Sequence, residues 1–515
     1  VHLEREIEMA VVLCIDAGST NLKAGLIDKT GTILAVARRA LTPERPEPGA
    51  AEFDANQIWK ALMECCKEVT AGRQKQIRMI SVSTYHYGLL FLDKDGEPIS
   101  KLSNLLDTRA QKTFSDFKKE YDVHHLYKTT GCPPYTQNVL PRLFYFSRTQ
   151  PDLIKKAGML ASSKAWIMYK LTGQLASDPG VESGSQMMNI STRQWDSDIL
   201  NSIGLSEEKM PKIYDALETV LPIKSEVASA LGLSSDVGVI PGIYDGAAVA
   251  LGLGVFEEGD CFSNIGTTAP LRVSSIGAKF DDPSKMRFQP NYFMQGRYLV
   301  GNAINNGSLP LRWLKENVLD LDYEELDRIA GEAPIGSNGL FTLPYLSGDR
   351  DVNFGTVASG VFFGLKDWHT RNEMVRAILE GVAYTMNVIK SGLEESDIKV
   401  GSIKIGGGGV RSAPIWLNIL ANVFNRTLLA TPDREACLMG NAILAFTARG
   451  HFADVTEAIK SLVIEPETIQ SDSKQVQQYQ KYFHFYQQLC KDITPIFFSH
   501  SKFCDEIGAS LKTEQ

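Results

Sequence analysis

VVLCIDAGSTNLKAGLID, Val11 to Asp28, decides how this chain is built. Val11–Ile15 is a run of apolar, largely β-branched residues, too short for a helix, and reads as a buried strand. A turn follows, AGST, and then NLKAGLID alternates with a period of two as a second strand. Lys29–Leu41, KTGTILAVARRAL, reads as a third, so the chain opens as a β-meander. A glycine in the first turn lets backbone N–H groups approach an anion, and Ser19 and Thr20 add hydroxyl donors.

The same pattern recurs at Phe262–Val273, FSNIGTTAPLRV: apolar strand, Gly-Thr-Thr turn, second strand. This is an internal duplication, with a boundary expected near residues 250–258 and domains of 9–254 and 255–515. A third glycine run, Gly406–Gly409, follows the strand in VGSIKIGGGG and precedes the helix APIWLNILANVFN. Three such turns suit two domains gripping the phosphates of one nucleotide from opposite sides. No G-x-x-x-x-G-K-[ST] loop occurs. The first turn opens a hairpin rather than a helix, which excludes a dinucleotide-binding fingerprint.

Between these landmarks, FDANQIWKALMECCKEVTAG reads as an amphipathic helix with Asp54 as N-cap. IRMISVSTY and VGVIPGIYD read as strands. The stretch from Gln150 to Gly173 reads as one helical region closed by its glycine. RNEMVRAILEGVAYTMNVIKSGL, REACLMGNAILAFTARG and the tail from Gln475 to Phe498 read as helices.

The 515 residues call for two or three domains, and 43% hydrophobic with 22% charged residues is the balance of a soluble globular protein. A net charge of -8 without a basic block argues against nucleic acid or an anionic membrane as partner. Eight cysteines without a C-x-x-C pair read as reduced thiols in a cytoplasm. The opening VHLEREIEMAVVLCID carries no signal peptide or membrane span, and Met9 is a second candidate start beside Val1.

Two acids stand out. Asp16 ends the first strand beside the first turn, where it suits a Mg²⁺ ion held against phosphates; an Asx-turn is the alternative. Asp245 sits among glycine, alanine and branched aliphatics in VIPGIYDGAAVALGLG, where a charge is costly unless paired or used. A helix N-cap is its alternative.

The chain resembles the FGGY carbohydrate kinases of the actin/Hsp70/sugar-kinase superfamily from about Ala10 to Gly450. GVFFGLKDWHTRNEMVRAILE, Gly360–Glu380, fits the family's C-terminal signature at every constrained position. FTLPYLSGDRDVNFG, YKLTGQLASD, IGGGGVRSAPIWLNILANVFNRTL and REACLMGNAILA resemble further family segments. The resemblance implies an α/β protein of two ribonuclease H-like domains with a cleft between them. It implies ATP and Mg²⁺ as cofactors and a small sugar as substrate, and it allows a homodimer. Asp245 falls on the family's general base. Gly18, Ser19, Thr20 and Lys23 would lie near the terminal phosphates, with Gly266 and Thr267 opposite. Gly307, Gly408 and Ser412 would lie near the nucleotide's sugar and base. Lys23 has a plain alternative as a solvated strand lysine.

For the substrate, VSTYHYGLLFLD carries His86 and Tyr87 where relatives carry Q-M-H-G, Q-R-E-T or A-M-H-S. The departure at Tyr87 bears on the sugar contact, and a satisfied buried histidine is an equal reading of His86. Asp107 and Arg109 in LLDTR keep two positions of W-x-D-x-R, and Gln137 lies with Tyr135 in the loop TGCPPYTQN. Asn305 and Asn306 in GNAINNGSLPLRWL, with GVFFGL, resemble bacterial gluconokinases. A gluconate-like acid is the first expectation and a ketopentose the second. A sugar-binding sensor or a chaperone-like ATPase on the same fold are the rival classes.

Overall fold

The computed structural model describes residues 11–350, 354–411, 413–431 and 435–507; Val1, Met9 and Ser412 lie outside them. Two sheets share one plan. In the first, the strand order is 221–222, 238–240, 77–84, 11–17, 21–28, 33–40. Strands Val11–Ala17, Asn21–Asp28 and Ile33–Ala40 form the expected antiparallel meander. Val11–Ala17 also pairs in parallel with Ile77–Thr84, and that strand with Gly238–Ile240. The second sheet runs 289–294, 297–304, 269–276, 261–264, 403–406, 428–430, 467–469. Its meander is Cys261–Asn264, Ala269–Ile276 and Arg297–Ile304, with Ile403–Gly406 and Leu428–Ala430 added in parallel. The duplication legible in the two turns is therefore a duplication of topology, as expected of two ribonuclease H-like domains.

The first strand is buried along its whole length because both faces of its sheet are covered. Val11, Leu13 and Ile15 pack with helices Ala55–Thr70 and Ser163–Thr172, through Ile58, Leu62 and Trp166. Val12 and Cys14, on the opposite face, pack with Ala248 and Leu251 of helix Asp245–Gly252 and with Leu438 and Ala442 of helix Ala436–Ala448. The last of these helices belongs to the second half of the chain yet seats on the first sheet. Asn441 fastens it there: its amide donates to Ile15 O at 3.2 Å and Ser83 Oγ at 2.7 Å, and accepts from Ser81 Oγ at 2.8 Å.

The two helices cross at small residues. A Cβ on Gly440 would lie 2.0 Å from Ala248 O, and one on Gly252 would lie 1.9 Å from Ala436 O. No side chain fits at either place.

Asp54 caps its helix as expected, accepting from Asn56 N and Gln57 N. The region from Gln150 to Gly173 is not one helical run. Helix Pro151–Lys156 and helix Ser163–Thr172 are separated by strand Met159–Ala161, which pairs with Leu90–Leu92. The helix ends where Ala157 turns extended at ψ 120° and Gly158 N donates to Leu92 O at 2.8 Å; a Cβ on Gly158 would meet Lys94 N at 2.6 Å, and Ser162 restarts the helix by accepting from Ala165 N. The tail helix extends beyond expectation, Ser473–Glu506, with Pro495 inside it.

The helix crossing has a measurable consequence. Gly440→Val should lower stability by at least about 1–3 kcal/mol through overpacking. Gly331→Ala, in an exposed helix position where a Cβ meets nothing within 4 Å, should raise it by up to about 1 kcal/mol. Thermal or urea melts of the two variants beside the parent check both signs.

Candidate active site

The duplicated turns meet across a cleft of about 390 Å³. Asp16, Gly18 and Lys23 of the first hairpin line one wall, Thr268 and Gly408 the other, and Asp245 the floor. Asp245 is the first residue of its helix, and Tyr244 is the N-cap. The carboxylate accepts from Gly246 N at 2.7 Å. Burial and the neighbouring Asp16 charge push its pKa up to about 7, against the pull of Arg272 and Lys164. A carboxylate poised near neutrality inside a cleft can accept a proton under ordinary conditions.

Lys164 sets the strand-to-helix turn that delivers Asp245. It is fully buried, bonds to the carbonyls of Val82, Pro241 and Ile243, and pairs with Asp178 at 3.2 Å. Gly242 takes φ +62° in that turn, and a Cβ on it would meet Val82 O at 2.3 Å.

Asp16 makes no Asx-turn. Its carboxylate lies under the hairpin, 3.5 Å from Ser83 Oγ, and burial raises its pKa while the Lys23 charge opposes the rise. Lys23, its register partner across the ladder, is half-buried and ion-paired at 3.0 Å to Glu435. Glu435 also holds Arg38, so one acid at the start of helix 436–448 gathers two cations of the first sheet. Ser19 is half-buried and Thr20 exposed at the turn's tip.

On the opposite wall a Cβ on Gly266 or Gly408 would meet nothing within 4 Å, which leaves the backbone open to an approaching group. Thr267 is exposed beside Gly266. Gly307 is buried behind this turn rather than facing the cleft: its N–H donates to Thr267 O at 2.8 Å, and Ser308 N donates to Gly266 O at 2.7 Å.

Next to Asp245, His86 stacks on Tyr244 with ring centroids 4.3 Å apart, and its Nε2 lies 2.8 Å from Gly180 O. Burial, with the Arg272 and Arg350 charges, pushes its pKa down to about 3, so the ring is neutral. Tyr87 is buried in the left-handed region at φ +70°, a strained conformation for a bulky residue. Arg142, itself 1% exposed, donates to Tyr87 O and to Ser103 Oγ. Ser103 Oγ in turn donates to Asp107 at 2.8 Å.

Asp107 is thus not brought to the cleft. Its carboxylate is taken by Arg109 and Ser103, and Arg109 lines a separate cavity of about 430 Å³. It reaches the site only through Ser103, Arg142 and Tyr87. Gln137 is half-buried in the loop before helix Val139–Thr149, where Tyr135 donates to Arg350 O at 3.1 Å across the two halves. Asn306 holds Ser347 N and Gly348 O, and Asn305 accepts from Arg350 Nε at 2.9 Å.

Sequence reasoning missed Lys164, Arg142, Arg272, Glu435 and Cys437. Each is a single residue brought to the site by tertiary packing, with no spacing pattern of its own. Cys437 lines the cleft between Ser83 and the backbone of Asp245.

Residues 11–252 match the FGGY family of carbohydrate kinases, N-terminal domain, and residues 262–449 the C-terminal domain of the same family. The gluconokinase of Bacillus subtilis (strain 168) is 26% identical over 465 residues, 88% of this chain and 90% of its own. The xylulose kinase of Staphylococcus xylosus is 25% identical over 480 residues, 93% and 99%. Among solved structures, a ligand-bound xylulose kinase from Lactobacillus acidophilus superposes with a TM-score of 0.91 at 26% identity, covering 95% of this chain and 100% of that one. A gluconate kinase from the same organism gives 0.90 at 26%, with the same coverage. Those two sheets, that cleft and these matches make the chain a member of the FGGY family of carbohydrate kinases, a phosphotransferase that uses ATP on a sugar.

Proposed function

We propose that the chain transfers the γ-phosphoryl group of ATP to a hydroxyl of a small polyol acid of the gluconate type, with Asp245 as general base. A ketopentose is the second substrate class. The observation that carries the reading is the Asp245 carboxylate on the floor of the cleft, raised to about 7 and level with two glycine turns. Residues 9–254 serve as the sugar half with the base, and 255–515 as the nucleotide half.

The acceptor hydroxyl donates its proton to Asp245 as its oxygen bonds to the γ-phosphorus. The bond from that phosphorus to the bridging oxygen breaks, and ADP leaves. Gly18, Ser19, Thr20 and Lys23 hold the terminal phosphates from one side, Gly266 and Thr267 from the other. Gly307 braces the second turn, and Gly408 lies toward the nucleoside, the part that the family resemblance also gives to Ser412. Lys23 must exchange part of its contact with Glu435 for phosphate.

Asp16 suits Mg²⁺. Two desolvated carboxylates, with the Asp16 charge raising the proton affinity of Asp245, form a place where a cation is favoured, and Mg²⁺ needs only one or two carboxylates beside phosphate oxygens. When bound, the ion supplies charge neutralisation on the phosphates. His86, Tyr87 and Gln137 are the sugar-side contacts, and Asp107 supports Tyr87 from behind. No helix among the described residues is long and apolar enough to cross a membrane. Neither nucleic acid nor membrane is expected as a partner. A cytoplasmic enzyme, able to pair as a homodimer, fits the reading.

Asp245→Asn should lower kcat by about 10²–10⁴-fold in a coupled ADP-release assay. An undiminished rate would remove Asp245 as the base. In the parent, kcat/KM should fall as pH drops through about 7, because the base must be deprotonated in the free enzyme.

Stability gives an independent readout. The folded pKa of Asp245 is raised above its unfolded value, so the folded protein binds the extra proton and loses stability as pH rises toward about 7. Asparagine mimics the protonated acid. The melting temperature of Asp245→Asn should therefore exceed the parent's, by a margin that widens from pH 5 to pH 8.

A further inference from the structure

Arg272 is a charged residue in a place where charge is expensive. It is 8% exposed on strand Ala269–Ile276. Its neighbours Leu271 and Val273 point into the core, while Thr268 and Pro270 line the cleft. Side chains alternate along a strand, so Arg272 stands on the cleft face, further along the strand than Pro270. Gly301, its ladder partner, makes the room: a Cβ there would lie 3.0 Å from Arg272 Cγ.

No acid among the described residues lies within ion-pairing distance of this guanidinium. Among the described residues its one hydrogen-bonding neighbour is the Asn291 amide, which, with its oxygen turned to the guanidinium, accepts from both terminal nitrogens, Nη2 at 3.2 Å. The other end of that amide lies 3.5 Å from Ser183 Oγ, and Ser183 bonds to Gly180 O, the same carbonyl that His86 meets. The cation therefore sits on the second half of the chain, opposite the His86–Tyr244 stack that leads to Asp245. Its field reaches all three of those residues. A buried cation without a counter-ion is stable only if an anion arrives or the charge serves another purpose. Arginine's planar fork matches a carboxylate with two parallel bonds.

We propose that Arg272 is the specificity residue that pairs with the carboxylate of an acidic sugar substrate, so that the chain prefers aldonates over neutral polyols. The inference rests on the kinase reading above and names what that site selects. A sugar acid anchored there by its carboxylate presents its hydroxyls toward Tyr244 and Asp245. The anionic partner has a rival source, the transferring phosphoryl group, and the two are separable.

The test compares gluconate with gluconamide, which differ in the charged group alone, for the parent, Arg272→Gln and Arg272→Lys. The parent should favour gluconate in kcat/KM by at least about 100-fold, as expected for a charge left without its buried partner. Arg272→Gln should collapse that ratio to within about threefold, through a rise in KM for gluconate, and Arg272→Lys should restore part of it. An equal loss for both substrates, carried in kcat, would overturn the proposal and assign Arg272 to the phosphoryl group. A parent without preference for the charged substrate would also overturn it.

A thermal-shift titration with the same two compounds covers the case in which no acceptor is turned over. Stabilisation by gluconate that is lost in Arg272→Gln supports the anion site even if the kinase reading fails. Absence of gluconate-specific stabilisation in the parent refutes the site by itself.

Discussion

Gly252 and Gly440 set how closely the two halves of this protein approach. Where helices 245–252 and 436–448 cross, the backbone carbonyl of each lies against the other's glycine, with space for hydrogen alone. Everything at the cleft floor follows from that contact. The first helix begins at Asp245, the second begins beside Glu435 and Cys437, and the second also seats on the strand that carries Asp16. Four groups from distant parts of the chain are thereby brought into one small volume. Packing of this kind is directional and unforgiving, because interiors near crystal density have no slack to absorb an added methyl group.

The same contact arranges charge in a way that favours chemistry over stability. Asp16 is held close enough to Asp245 for its charge to raise the pKa of that carboxyl, although a fold built for stability alone would separate or pair them. Cations are placed around them without neutralising them. Lys23 is committed to Glu435, Lys164 to Asp178 and three carbonyls, and Arg272 to an amide. The carboxylate near Tyr244 is left with one backbone hydrogen bond. Such a centre is costly in the resting protein and is relieved when phosphate, cation and acceptor enter together, which is how an enzyme couples binding to reaction.

Much of this was legible in the sequence, for reasons that can be named. The first strand and its twin at 261–264 are short apolar runs ending in glycine and hydroxyl turns, a local pattern that needs no tertiary knowledge. Asp245 stood out because an acid among small and branched residues violates the usual burial rule. The region around Gly158 misled because its apolar spacing suits a helix, whereas its backbone is taken up in pairing with the distant strand 90–92. Asp107 misled because LLDTR looks like a site motif, yet Arg109, two residues on, takes its carboxylate. The segment with the most specific family pattern, Gly360–Glu380, forms the capped start of helix 371–395 and the buried Arg376–Glu380 pair that anchors Tyr479 of the tail. It marks the family through packing, at no residue of the cleft. Arg272 and Arg142 carried no signal, since what distinguishes a buried arginine from an ordinary surface one is its missing counter-ion, which only three dimensions reveal.

The central claim is that phosphoryl transfer here goes to a sugar hydroxyl activated on the cleft floor. The most direct measurement is ADP release from ATP with Mg²⁺, with and without each of a set of sugar acids, ketopentoses and neutral polyols. The account predicts ADP release that depends on one acceptor class and is near zero without it. Release at the same rate without any acceptor would make the protein an ATPase. Silence with every acceptor, while ATP still binds, would make it a sensor on a kinase fold.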